Sequence, residues 1–466
     1  MNLAPGVAAG HPATAEAGLE ILRAGGSAAD AAVAASLASC VAETVMTGIA
    51  GGGHAIWFDG ASGEAELLDF FVTVPGLGTE PQSFELQDVG VPFGNEIVHY
   101  SVGTASCAVP GVPAGLDALW RRYGRLPWAR LVEPAIALAR NGVEMPPAHV
   151  ACLEMLAPVM TLDEGARIYS PGGQLLGVGD KLEQPGLVRT FEAVASEGTG
   201  TFYDGTLAEA LLDVMFERGG LVTRGDLQAY KPRWLAPVGG DWAGVRVQTR
   251  RGLSLLVETL AVLPPLEGAS DRERALALAR YLAAPPYSGE AEQDTTNLVT
   301  TDAEGNACVL TTSLGLGSGD FLPGFDVHLN SMLGEVDLLV VDRHPGRRME
   351  SMMSPTVVLG DDGILLAAGA AGGTRLRPAL VQVLSGVVED ALSPQEAVER
   401  PRLHSTGELV HAEPGWEEDA LTALEAAGYE VRRWSGLHHY FGGVSLIGRD
   451  GGGADPRRSG SALPLR

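Results

Sequence analysis

The chain has 466 residues, a length that allows two or three domains, and 45% of them are hydrophobic, enough for a large core. Its formal net charge is −26 and its pI is near 4.7; that balance argues against nucleic acid or an anionic membrane surface as a partner and reads as a solubility device. The 62 glycines and 29 prolines stay below the low-complexity range, so tight turns and close backbone approaches are expected.

Four scattered cysteines (Cys40, Cys107, Cys152, Cys308) have no CxxC spacing. They read as buried thiols, with neither a zinc site nor any cofactor expected. No basic, apolar leader is visible at the N-terminus, so a cytoplasmic location is the default expectation, with a periplasmic or secreted one if a leader has been removed. The apolar stretch from Ala28 to Val45 is interrupted by Asp30, Ser36, Ser39 and Glu43, which makes it a core helix and not a membrane span.

In chain order, Thr14 to Arg23 has helical spacing and stops at Gly25-Gly26; Ser27 then caps a second helix from Ala28 to Val41. The glycine run Gly48 to Gly53 enters a strand, Ala55 to Phe58, and a turn at Gly60 to Gly63 leads to a second, Ala65 to Phe71. Helices are predicted at Pro113 to Tyr123, Trp128 to Ala139, Thr206 to Arg218, Gly225 to Tyr230 and Arg272 to Ala283, with a strand at Val245 to Thr249. Beyond Thr295 come two hairpins, Leu298–Thr301 with Ala307–Thr312 and Thr356–Leu359 with Ile364–Ala368. Helices at Arg377 to Asp390 and Glu417 to Ala427 and a strand at Val444 to Ile447 complete the chain. Segregated hairpins and helix pairs point to α+β layering and not to a βαβ array.

Several segments invite chemistry. A cut before Thr295 would give that residue a hydroxyl and a free α-amine, a nucleophile with its own base; a Thr at the start of a strand is equally ordinary strand chemistry. The glycine run Gly48 to Gly53 lacks both G-x-G-x-x-G and a following GK[ST], which favours a tight turn over a phosphate loop. Ala370 to Arg375 places Gly372 and Gly373 before a helix, suiting either a nest of amides for an oxyanion or a strand-to-helix turn. The hydroxyls of Met349 to Thr356 would serve a substrate or a loop. The histidines show no HExxH pattern, and His404 is expected to end a helix and pack.

Taken together, these motifs resemble the γ-glutamyltransferase (glutathione hydrolase) family of N-terminal nucleophile hydrolases, from near residue 5 to about residue 455. The resemblance is carried by Ala8 to Pro12, Glu16 to Ala34, Gly48 to Gly53, Val109 to Pro113, Thr201 to Thr206 and Gly219 to Tyr230. It continues in Thr295 to Asp302, Gly305 to Ala307, Gly317 to Gly319, Ser354 to Thr356 and Gly372 to Arg375. It implies a four-layer αββα sandwich and a proenzyme that cuts itself between Asp294 and Thr295. Residues 1–294 would form a large-subunit region and residues 295–466 a small one, held as a heterodimer. It also implies acyl transfer from a γ-glutamyl amide to water or an amine through Thr295, with Ser313 as supporting hydroxyl and the Gly372 and Gly373 amides as oxyanion hole.

The departures from the family pattern concern the substrate clamp. Phe71 stands where the family has an Arg for the substrate α-carboxylate, and loss of that charge-assisted pair costs roughly 1.5–3 kcal/mol or more. Gly315 replaces an Asn, Met332 a Gln, and Ser351-Met352 a Ser-Ser pair, while Glu335 keeps a carboxylate at the position for the substrate α-amine. Arg343, Arg347, Arg348 and Arg375 are candidates to replace the lost Arg. Two alternatives therefore stand beside the family's activity: an acylase acting on a more apolar acyl amide, and a non-enzymatic binding relative.

Overall fold

Local chemistry sets the first elements. His11 caps the helix Pro12–Arg23, its Nδ1 accepting the Ala13 N–H at 3.0 Å. Ser27 and Asp30 form a reciprocal capping box for the helix Ala28–Ala42, whose side chains are all buried. The small alanine side chains let this helix sit inside the molecule, packed between neighbouring helices and a sheet.

The structure is a computed structural model and describes residues 2–79, 85–93, 96–283, 295–335, 338 and 344–466. Asp294 and Arg343 lie outside the described residues.

Two antiparallel sheets form the middle of the molecule. The seven-stranded sheet runs in the order Ser461–Pro464, Gly6–Ala9, Thr295–Thr301, Ala307–Ser313, Gly52–Phe58, Ala65–Phe70, Arg233–Leu235. The six-stranded sheet runs Gly451–Ala454, Gly443–Gly448, Gly363–Ala371, Thr356–Gly360, Val245–Thr249, Val238–Trp242. Alternation along the Thr295 strand fixes the layers. Leu298 and Thr300 face the helices, the Thr300 hydroxyl donating to the Ala28 carbonyl at 2.6 Å. Asn297 and Val299 face the second sheet, where Val299, Val309 and Ile56 meet Val357, Ala367 and Ile447. The outer face of the second sheet (Val358, Leu366, Ala368, Leu446) packs with residues of the helices Asp271–Leu282 and Leu376–Val388. The order is helix, sheet, sheet, helix, the four-layer sandwich expected.

Most predicted elements fall within a few residues of their observed bounds. His404 is a correction: it lies on a strand, Leu403–Ser405, and not at a helix end, because Leu403 to Ser405 pair with Val410 to Ala412. The strands Gly6–Ala9 and Ser461–Pro464 had no counterpart in the sequence reading, nor did the helices Pro147–Met160 and Pro185–Glu197. Cys40, Cys107, Cys152 and Cys308 are all buried free thiols. Among the described residues, no helix is long and apolar enough to cross a membrane.

Candidate active site

The Thr295 strand carries the site. Thr295 is its first residue and lies directly opposite Ser313 on the next strand, and Ser313 lies opposite Gly52. A Cβ on Gly52 would come 3.1 Å from the Phe71 carbonyl carbon. Thr295, Ser313, Gly52 and Phe71 thus form one row across the sheet, about 14 Å long at about 4.8 Å per strand. The row faces the second sheet, as Asn297, Thr311 and His54 do in the row beside it. Thr295 is 1% exposed, and its Oγ has no hydrogen-bond partner among the described residues. A buried hydroxyl with no such partner calls for an explanation.

The second sheet brings the glycine pair to the same end. Its strand Gly363–Ala371 pairs with Gly443–Gly448, Ala371 opposite Gly443. Gly372 follows at φ +120°, where a Cβ would meet Gly442 Cα at 3.0 Å and Arg458 Nη2 at 3.1 Å, so the position requires glycine. Gly373 opens a short turn into the helix Leu376–Val388. Thr295, Ala371, Gly443, Glu43, Gly10 and Arg458 border one cavity of about 10 Å³, the space of roughly one water.

The opposite flank of the row is apolar. Phe71, Met332 and Met352, three of the departures from the family pattern, join a single buried cluster with Val72, Leu333 and Met349. Phe71 also stacks on His54, ring centroids 5.5 Å apart, and burial holds His54 well below its usual pKa. Gly315 has φ +70°, and a Cβ there would lie 2.6 Å from Ser331 Oγ and 2.7 Å from Glu335 Oε1. Its N–H donates to Ser313 Oγ at 3.0 Å, linking this loop to the Thr295 row. Gly315→Ala is expected to lower stability by about 1–2 kcal/mol, read as a drop in the urea midpoint. Glu335 is buried and accepts from Ser331 Oγ at 3.1 Å and the Leu316 N–H at 3.3 Å. The Ser351 hydroxyl turns into its own loop, accepting the Met353 N–H at 3.1 Å.

Of the arginines named as replacements, Arg347, Arg348 and Arg375 lie among the described residues, and Arg348 is the one that reaches Phe71, through its backbone. Arg348 donates to the Phe71 carbonyl, the Tyr230 hydroxyl and the Lys231 carbonyl. Arg347 is exposed, and Arg375 stacks on the Tyr440 ring at 4.3 Å. The arginine that borders the Thr295 cavity is Arg458, which sequence reasoning missed, together with Glu43 and Gly10. Glu43 had registered only as an interruption of an apolar run. It is fully buried and accepts from Thr14 Oγ at 2.6 Å and Thr296 Oγ at 2.5 Å. Burial pushes its carboxyl up, opposed by the two hydroxyls and Arg458.

Behind the cavity lies a buried charge network. Arg402 donates to Asp455 at 2.6 Å, Arg457 Nε to Glu413 at 2.6 Å, and Asp455 also accepts the Val444 N–H at 2.9 Å. Burial alone would raise the Asp455 carboxyl; Arg402 and Arg457 hold it below its ordinary value. Arg402→Met removes one of the two arginines on the buried Asp455 carboxylate and is expected to cost roughly 1.5–3 kcal/mol, measured as a loss in thermal midpoint and urea midpoint.

An αββα sandwich with an inward-facing Thr at the head of a central strand defines the N-terminal nucleophile hydrolase class. The sequence profile described as Gamma-glutamyltranspeptidase matches residues 14–275 and 269–465, and the chain belongs to that family and is an amidohydrolase of this class. It is 29% identical to the "Acylase ACY 1 proenzyme" of Pseudomonas sp. strain V22, over 92% of this chain and 87% of that one. It is 26% identical to the "Glutathione hydrolase proenzyme" of Bacillus subtilis strain 168, over 98% and 91%. In fold it resembles the cephalosporin acylase of Bacillus halodurans, with a TM-score of 0.81 and 24% identity over 99% of this chain and 96% of that one.

Proposed function

We propose that the protein is made as one chain, cuts itself between Asp294 and Thr295, and holds residues 1–294 and 295–466 together as a heterodimeric amidohydrolase. Its default substrate is a γ-glutamyl amide of the glutathione type. Thr295 Oγ attacks the amide carbonyl while its new α-amine takes the hydroxyl proton and passes it to the leaving amine. The Gly372 and Gly373 amides receive the oxyanion, and Ser313 supports the nucleophile from the facing strand. The resulting ester on Thr295 is then taken up by water or an acceptor amine. The observation that carries this reading is the buried, unengaged Thr295 hydroxyl at the head of its strand, opposite Ser313.

A second reading is favoured by a specific observation: Phe71, Met332 and Met352 share one apolar cluster where the family binds a charged glutamyl group. On that reading the same machinery acts on a more apolar acyl amide. Comparing kcat/KM for γ-glutamyl, glutaryl and aliphatic acyl anilides decides between them. A clear preference for the γ-glutamyl anilide removes the second reading; a preference for the aliphatic one removes the first. No turnover of any of them by the cut protein counts against both.

A further inference from the structure

The proposed mechanism leaves one step without a base. In the uncut chain the Thr295 nitrogen is an amide, which cannot accept the hydroxyl proton; the α-amine exists only after cleavage. Another group must start the first event.

Two carboxylates border the Thr295 cavity, Glu43 and Asp455. Asp455 is committed, its oxygens taken by Arg402, Arg457 and the Val444 and Arg457 N–H groups. Glu43 accepts one threonine hydroxyl on each oxygen, which leaves further acceptor capacity on both. One of those hydroxyls belongs to Thr296, which neighbours the nucleophile in sequence but leaves the strand on its opposite face, so it is the cavity at the strand's end that Glu43 and Thr295 share. The space beside Glu43 is kept open by Gly10, where a Cβ would lie 2.8 Å from Glu43 Oε2 and 3.1 Å from Thr296 Oγ. Thr295 Oγ, also bordering the cavity, is one of the buried polar atoms there with no hydrogen-bond partner among the described residues, Asn297 Oδ1 being another.

We propose that Glu43 is the positioning base of self-cleavage, drawing the proton from Thr295 Oγ through one water seated in the cavity that both residues border. The inference rests on Thr295 being the nucleophile. As the Oγ–C bond forms at the carbonyl of residue 294, the hydroxyl proton passes through the water to Glu43. As the C–N bond breaks, Glu43 returns that proton to the Thr295 nitrogen. This leaves an ester on Oγ and a free amine. A second water then adds to the ester; its hydroxyl stays on the acyl carbon as the carboxylic acid of residue 294, and its proton goes to Oγ with the new amine as carrier. Burial raises the proton affinity of Glu43, the direction that strengthens a carboxylate as a base.

The test uses the full chain, made by cell-free synthesis and followed by intact mass from its release, between pH 5 and 9. Wild type is expected to cut faster as pH rises through the titration of Glu43. Glu43→Gln is expected to cut at least tenfold more slowly and to lose that acid limb, and Glu43→Asp to recover part of the rate. Gly10→Ala, which crowds the water's seat while keeping the Glu43 charge, is expected to cut severalfold more slowly. Wild-type rates and pH profiles in both Glu43→Gln and Gly10→Ala would overturn the proposal. So would equal slowing in Glu43→Gln and Glu43→Asp with an unchanged pH profile, the mark of a purely structural role. Thr295→Ala run alongside separates the two claims: if it is cut like wild type, the nucleophile is wrong, whereas if it stays whole while Glu43→Gln cuts normally, only the base is wrong.

Discussion

Thr295→Ala is expected to stay a single chain of 48.5 kDa and to lose turnover by a factor of about 10⁴ or more, on the scale seen when a hydrolase loses its nucleophile. The hydroxyl is removed together with a methyl group, and both proposed chemical events need the hydroxyl. Without Oγ no ester forms at residue 294, so no α-amine is released, and no acyl-enzyme forms with substrate. The substitution should leave the fold intact, since Oγ makes no hydrogen bond among the described residues and the strand is held by backbone pairing with the Ala307–Ser313 strand. Thr295→Ser, which keeps the hydroxyl, is expected to cut and to turn over at a reduced rate. Intact mass and anilide release measure both; an active Thr295→Ala would contradict the assignment.

Acidification from pH 7.5 to pH 5 is expected to cost several kcal/mol of stability. His149 and His328 are fully buried and burial lowers each to about 3, and burial lowers His11 to about 4. Each is neutral in the folded chain. Nδ1 of His11 accepts the Ala13 N–H, and Nε2 of His328 accepts the Gly319 N–H at 3.0 Å, bonds that protonation would break. The unfolded chain takes up these protons near pH 6.5 while the folded chain does not. The stabilisation is therefore complete above the unfolded value and is lost as pH falls below it. At pH 5 the loss is roughly 2 kcal/mol per histidine, so about 6 kcal/mol for three, against a total stability of about 5–15 kcal/mol. Asp455, held low by its arginines once burial is offset, adds a further loss at more acid pH. Urea midpoints at the two pH values test this; equal midpoints would show that these histidines are not held neutral.

The helices were legible because their ends carry chemistry. Ser27 with Asp30 and Thr223 with Asp226 are reciprocal capping boxes written within four residues. The Asp302 to Asn306 turn between the two strands after Thr295 was equally local, its Asp302 carboxylate accepting the Glu304 and Asn306 N–H groups. The strand Gly6–Ala9 was not legible. It has four small or apolar residues buried on both faces, so no alternation marks it, and its partners are about 290 and 450 residues away in sequence. The helices Pro147–Met160 and Pro185–Glu197 were obscured by prolines: Pro147 and Pro185 sit harmlessly in a first helical turn, and Pro158 lies inside the first of these helices near its end.

The site divides the same way. Thr295, Gly372 and Gly373 stood out as local motifs, and the resemblance to a family added Ser313 and the altered clamp. Nothing local marked Glu43, Gly10 and Arg458 as neighbours of Thr295, because they meet only after both chain ends join the Thr295 sheet. Nor did the sequence show that Phe71, Met332 and Met352, far apart along the chain, fall into one apolar cluster.

The proposed chemistry requires that Thr295 become a chain terminus. Intact mass of the purified wild-type protein after long incubation, with N-terminal sequencing of the smaller species, tests it most directly. The expected result is two co-purifying fragments, the smaller beginning Thr-Thr-Asn-Leu from Thr295. A single uncut chain of 48.5 kDa, or a cut at any other bond, would contradict it.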